Sequence, residues 1–277
     1  MASISATENR FAVIPADSKV GAFFDIDNTI MRGASIYHLA RGLFSRKILS
    51  AGDLRNYAIA QGKFLIVGSE NLADMARITE SALSFVAGRD VEEVRALADE
   101  IYHEIMEAKI WPGTVELAQT HLSAGHQVWL VSAAPIELAE LIANKLGLTG
   151  AVATISEIVD GKYTGKLISK PMHGAEKAQA VLRLANENDL DLQNCFAYSD
   201  SKNDIPLLSE VGHPTAVNPD SELRAYAKLK NWPIHDYRRE RLIKRYVIPA
   251  GTTAVALIGA GAGLAVANKR KNKKLSE

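Results

Sequence analysis

Val20-Gly-Ala-Phe-Phe-Asp25-Ile-Asp27-Asn28-Thr29-Ile30 is an apolar run that ends in two carboxylates one residue apart. A run of this kind, closed by Asn-Thr, reads as a buried β-strand emptying into a loop that carries acid chemistry. By themselves the two acids suit a metal site, a helix cap or a catalytic pair. What surrounds them narrows the choice.

Downstream, Ser35 to Leu49 places Ile36, Leu39, Ala40, Leu43, Phe44 and Ile48 on one helical face. The same period runs through Leu72, Met75, Ala76, Thr79, Leu83 and Val86, and again through Val91, Val94, Leu97, Ala98, Ile101 and Ile105. Turn signals fall at Gly52, Gly68 and Gly88. Residues 34–109 are therefore expected to be a helical insertion, its apolar stripes forming core seams.

A strand–helix rhythm resumes at Trp111-Pro112-Gly113. It predicts a helix over Thr114–Ser123, a strand over Gln127–Ser132, a helix opened by Pro135 and ended at Gly147, and a strand over Ala151–Ile155. Gly161 and Gly165 flank Lys162-Tyr163-Thr164 as a hairpin; a helix carrying Lys177, a strand over Asn194–Tyr198 and a short strand at Thr215–Val217 follow. This alternation predicts an α/β fold, a doubly wound parallel sheet of Rossmann-like type, with residues 19–33 and 110–235 as its core. Ligands of such sheets bind outside the carboxyl ends of the strands. Asp25, Asp27, Ser132, Asp200, Asn203 and Asp204 all fall just past strand ends, and Lys177 begins a helix after a loop. Four separated segments thus converge on one crevice.

Those four segments resemble the ordered motifs of the haloacid dehalogenase superfamily: Asp25-Ile-Asp27-Asn-Thr, Val-Ser132-Ala-Ala, Gly174-Ala-Glu-Lys177 and Ser-Asp200-Ser-Lys-Asn203-Asp204. The branch most similar is the phosphoserine-phosphatase-like one with a helical cap, over about residues 19 to 235. The resemblance implies a Mg²⁺-dependent phosphomonoester hydrolase acting on a small phosphorylated metabolite. Asp25 would attack phosphorus and form an aspartyl-phosphate. Asp27 would protonate the leaving alkoxide and then deprotonate water. Ser132, Lys177 and Asn203 would bind the phosphoryl oxygens. Asp25, Asp27 through its carbonyl, and Asp200 would ligate the metal, a set of hard oxygens suited to Mg²⁺. Asp204 would either support that site or cap the helix at Ile205-Pro206.

Two departures from the family pattern bear on the substrate. Where phosphoserine phosphatases hold the substrate ammonium with a glutamate, the spacing from Asp25 gives Ala34, which cannot pair with a cation. The second motif reads Ser132-Ala-Ala-Pro in place of serine with two glycines. Both argue against phosphoserine itself.

Thirty-two basic and thirty-two acidic residues among 277 cancel, so no global field draws the chain to nucleic acid. The one cysteine, Cys195, sits in an apolar context that suits packing. Residues 1–18 are polar, without the apolar segment of a signal peptide, and a cytoplasmic protein is expected. The end is different, because residues 236–277 form a basic linker and an apolar Gly/Ala-rich tail. Tyr246 to Ala267 carries no charge and is flanked by basic clusters, and 22 helical residues would span roughly 33 Å. This tail is a candidate membrane attachment, which raises two alternatives: a phosphatase of a lipid phosphate or lipid precursor, and a non-catalytic phosphate-binding membrane adaptor.

Overall fold

In the computed structural model, β1 (Gly21–Phe24) has all four residues buried, as a strand covered on both faces requires. It pairs in parallel with β2 (Gln127–Pro135) on one side and β6 (Phe196–Ser199) on the other. Outside β2 lies β3 (Gly150–Thr154); outside β6 lie β7 (His213–Val217) and then β8 (Ile234–His235). The sheet order is therefore β3-β2-β1-β6-β7-β8, all parallel. The chain builds outward from β1 in one direction and then returns to build in the other, so the crevice opens at the carboxyl end of β1.

The structure describes residues 19–49, 52, 86–168 and 170–238. Met1–His235 forms one compact unit and Asp236–Glu277 a second, of which residues 236–238 are described. Most of the helical pattern between Leu72 and Val86 and the segment Tyr246 to Ala267 lie outside the described residues. Among the described residues no helix is long and apolar enough to cross a membrane.

Two helices of the insertion are described, α1 (Ser35–Ser45) and α2 (Val91–Ile101). The core adds α3 (Pro112–Ser123), α4 (Ile136–Leu146), α5 (Ala175–Glu187), α6 (Ile205–Glu210) and α7 (Ser221–Lys230). Pro112 sits in the first turn of α3, where its missing N–H costs nothing, and Gly147 closes α4 with φ 67°. The two phenylalanines of β1 serve opposite faces. Phe23 packs into the cluster of Val131, Val181, Leu207 and Leu223, while Phe24 stacks on Tyr198 at 4.3 Å between centroids.

Several boundaries differ from the sequence reading, each for a physical reason. β2 runs three residues past Ser132, because its end keeps pairing with β3 across a register shift between Ser132 and Pro135. α1 stops at Ser45, and Lys47 turns left-handed at φ 59°. The hairpin of β4 (Ser156–Val159) and β5 (Lys162–Leu167) turns at Asp160-Gly161, both with positive φ, so Gly165 lies inside β5 rather than in the turn. After α2 the chain takes a π-helical turn over Tyr102–Met106. That inserts one residue into the register, so that Met106, not Ile105, is fully buried.

Candidate active site

The last ladder bond of β1 runs from the Asp25 N–H to the Tyr198 carbonyl at 2.9 Å, and the chain then leaves the sheet. Ile30 and Met31 both donate to the Ile26 carbonyl, at 3.0 and 2.9 Å, closing a tight loop. Asn28 takes φ 60° at its bend, a conformation asparagine tolerates better than most residues. Its carboxamide oxygen accepts from the Gly33 N–H at 3.0 Å, and the buried Asn218 side chain donates to its carbonyl at 2.9 Å. The loop that carries Asp25 and Asp27 is thus fixed from both sides.

Asp27 is tied to the insertion. Its Oδ1 accepts the Ser35 N–H at 2.8 Å, one of the donors that the first turn of α1 leaves without an intrahelical partner. Burial pushes its carboxyl up, opposed by the hydrogen bonds from Ser35.

Asp25 is tied to the core. Lys177, buried in the first turn of α5, donates to Asp25 Oδ1 at 2.6 Å and to Asp204 Oδ2 at 2.8 Å. Asp204 also accepts from the Ser199 hydroxyl at 2.7 Å. Although Asp204 stands at the N-cap of α6, its side chain caps nothing there, and its oxygen is used by Lys177 and Ser199 instead. Burial disfavours the Lys177 charge, but Asp204 and Asp25 outweigh it and hold the ammonium above its ordinary pKa. Burial lifts Asp25 to about 7; Lys177 opposes this, and Asp204 and Asp27 add to it. Asp200, at the end of β6, is lifted to about 8 by burial, with Asp25 and Asp204 adding repulsion.

Four carboxylates therefore crowd round one ammonium, an excess of negative charge that a divalent cation would offset. Among the described residues no three acidic, histidine or cysteine side chains close into a metal cage. A site of two carboxylates, Asp25 and Asp200, completed by the Asp27 carbonyl and water fits both facts, and it fits Mg²⁺, which keeps several waters.

The family model for haloacid dehalogenase-like hydrolases matches residues 22–209, the stretch from β1 to α6 that carries all of these groups. The chain belongs to that family. Phosphoserine phosphatase SerB1 of Mycobacterium tuberculosis is 47% identical over 260 residues, covering 94% of this chain and 83% of that protein. A protein of the same organism named as a probable phosphatase is 34% identical over 247 residues, covering 89% and 85%. The solved structure of a Bordetella pertussis protein of unknown function superposes with a TM-score of 0.70 at 28% identity, covering 79% of this chain and 99% of that one. The four-motif resemblance is borne out at the level of family and fold, and this haloacid dehalogenase-like hydrolase is an enzyme of the phosphatase kind.

The remaining expected site residues of the hydrolase lie on the same rim. Ser132 is buried, and its Oγ accepts the Ala134 N–H at 3.1 Å, which leaves its own proton to donate. Asn203 lies half-buried in a 3₁₀ turn, its N–H donating to the Ser201 hydroxyl at 3.2 Å, and its carbonyl faces Gly174 before α5. Lys202 points away and pairs with Glu222 at 2.8 Å. Arg32 donates to the carbonyls of Ala108 and Lys109 and lies 5.5 Å from the Trp111 ring centroid.

Ser35, Ser199, Asn218 and Asp220 were not anticipated. Asp220 receives the Lys202 N–H at 2.9 Å through its carboxylate, and its own N–H bonds the Asp200 carbonyl at 2.8 Å. It therefore braces the loop that carries Asp200. The signal for these residues is positional: Ser199 ends a strand, and Asn218-Pro-Asp220 follows the next one.

Proposed function

We propose that this hydrolase cleaves phosphomonoesters of small metabolites through an aspartyl-phosphate on Asp25, with Mg²⁺ as cofactor. The observation that carries the reading is the buried Asp25–Lys177–Asp204–Ser199 chain beside Asp27, which itself is held by α1. Lys177 holds Asp25 Oδ1, and Oδ2 takes no hydrogen bond from the described residues. That orientation leaves one oxygen to attack phosphorus. Ser132, with a hydroxyl proton to give, and Lys177, bonded to Asp25, would offset charge on the phosphoryl oxygens. Asp27, lifted by burial, retains a proton more readily than an exposed aspartate and can pass it to the leaving alkoxide. When bound, Mg²⁺ would neutralise the excess carboxylate charge and orient the phosphate.

The test is release of inorganic phosphate from p-nitrophenyl phosphate. We expect turnover in Mg²⁺, none in EDTA, and a loss of at least about 10³-fold in kcat for Asp25→Asn. A non-catalytic phosphate-binding protein would instead bind phosphate and release none. Turnover that Asp25→Asn leaves intact would sink the mechanism.

A further inference from the structure

His38, in α1, is a buried imidazole with no part in the transfers assigned to Asp25 and Asp27. Its Nε2 lies 2.7 Å from the Arg32 carbonyl oxygen. A carbonyl only accepts, so Nε2 is the donor and carries a ring proton. The other nitrogen, Nδ1, is closed to solvent and has no hydrogen-bond partner among the described residues. A leucine would fill the same place without burying an orphaned polar atom, so packing alone does not account for a histidine here. No ligand reaches Nδ1 either. What the ring contributes is its bond to Arg32.

That bond ties α1 to the chain that enters it. The N-cap of α1 is Ala34, which has no side-chain cap, and Gly33 before it is left-handed at φ 79°. Glycine adopts many other conformations as readily, so by itself it fixes the entry of the helix weakly. His38 reaches back over it, with Nε2 3.2 Å from where a Gly33 Cβ would stand. The Arg32–Gly33 peptide is thus held at both ends, its N–H by Asn28 Oδ1 at 3.0 Å and its carbonyl by His38. Two residues on, the Ser35 N–H donates to Asp27 Oδ1 at 2.8 Å. A rotation of that peptide would therefore carry the Ser35 N–H away from the Asp27 carboxyl.

We propose that His38 is a positioning residue: by holding the Arg32–Gly33 peptide against α1, it keeps the Ser35 N–H on Asp27 and the Asp27 carboxyl in place to give its proton to the leaving oxygen. The inference rests on the phosphatase reading above. As Asp25 bonds phosphorus and the ester P–O bond breaks, a basic leaving group needs the Asp27 proton, whereas p-nitrophenolate departs without it.

The experiment measures kcat/KM in Mg²⁺ for phenyl phosphate and p-nitrophenyl phosphate, two esters of similar shape whose leaving groups differ in basicity. The constant counts only steps up to departure of the leaving group, so the comparison isolates the acid. His38→Leu is expected to lose at least about fivefold with phenyl phosphate and less than about twofold with p-nitrophenyl phosphate, a part of the roughly 10²–10⁴-fold that general acid catalysis supplies. His38→Gln, whose amide N–H can donate to the Arg32 carbonyl, should restore the phenyl phosphate value. Gly33→Ala sets a methyl group against the His38 ring at a φ that disfavours it, and should shift the comparison the same way if His38→Leu does not fold. An equal fall with both esters would make His38 a merely structural residue and overturn the proposal, as would unchanged values. A deficit that His38→Gln leaves unrepaired would overturn the role of the Arg32 bond. Either result leaves the phosphatase reading intact. If the wild type releases phosphate from neither ester, that reading falls and this inference falls with it.

Discussion

Lys177 is the residue on which the site's electrostatics turn, because its ammonium has two buried carboxylates within 2.8 Å and almost no water. An ion triad of this kind adds little net stability over a well-packed apolar substitute, yet removing one member leaves the others uncompensated. Lys177→Met is therefore expected to lower stability by about 3–5 kcal/mol, read as a fall in the urea midpoint, and to abolish turnover. The double variant Lys177→Met/Asp204→Asn should regain part of the stability and none of the activity. Equal stability of the single and double variants would contradict this picture. Lys177 was legible in the sequence because it stands in a motif of fixed order. Asn218 was not, since its donation to Asn28 spans 190 residues of chain and depends on β7 lying two strands from β1. Asp204 illustrates the limit between these cases. Its position before Ile205-Pro206 suits a helix cap as well as a lysine partner, and only the placement of Lys177 and Ser199 decides.

At the scale of elements, period alone located α1 and α2, and it failed where the backbone changes register. The π-helical turn at Tyr102–Met106 carries no marker in a sequence that continues to look helical, so the period points to Ile105 as the next core position, whereas Met106 is. β8 has two residues, too few to show any alternation. The contact between α1 and α2 depends on a residue that period ignores. A Cβ on Gly42 would stand 2.5, 2.6 and 2.8 Å from the Cγ2, Cγ1 and Cδ1 atoms of Ile101, which is itself fully buried. Alanine there should gain helix propensity of up to about 1 kcal/mol and lose about 1–3 kcal/mol to overpacking. We expect Gly42→Ala to lower the melting temperature by about 2–4 °C, near 1 kcal/mol for a chain of this size. Gly42→Ala/Ile101→Val should recover most of it, because trimming Ile101 clears the space. A higher melting temperature for the single variant would mean that the two helices separate without cost.

For the whole molecule, overall neutrality hides a strongly uneven distribution, with four carboxylates gathered at one end of the sheet. A cation that binds only the folded state stabilises it by mass action, by about 2.7 kcal/mol at one hundred times its Kd. Mg²⁺ is accordingly expected to raise the melting temperature relative to EDTA, and Asp200→Asn to remove that shift. A shift of the same size in the variant would place the cation elsewhere. A second charge effect lies beneath the sheet, where His121 of α3 meets His126 Nδ1 at 3.0 Å and the Tyr198 hydroxyl at 2.7 Å. Burial, with repulsion from His126, lowers the His121 pKa to about 3. Between that value and about 6.5, the pKa of an unfolded histidine, the unfolded chain binds a proton that the folded chain does not. Stability from this group is fully present above pH 6.5 and declines as the pH falls, by about 1.4 kcal/mol per unit, until about pH 3. His121→Gln, which keeps a polar side chain but cannot titrate, should be less stable at neutral pH and should lose stability more slowly on acidification. Urea unfolding of both proteins from pH 7.5 to 4.5 measures the difference, with the carboxylates common to both cancelling in the comparison. Parallel pH profiles would show that the His121–His126–Tyr198 cluster accepts a proton without opening, and that the acid sensitivity of the fold lies with its carboxylates.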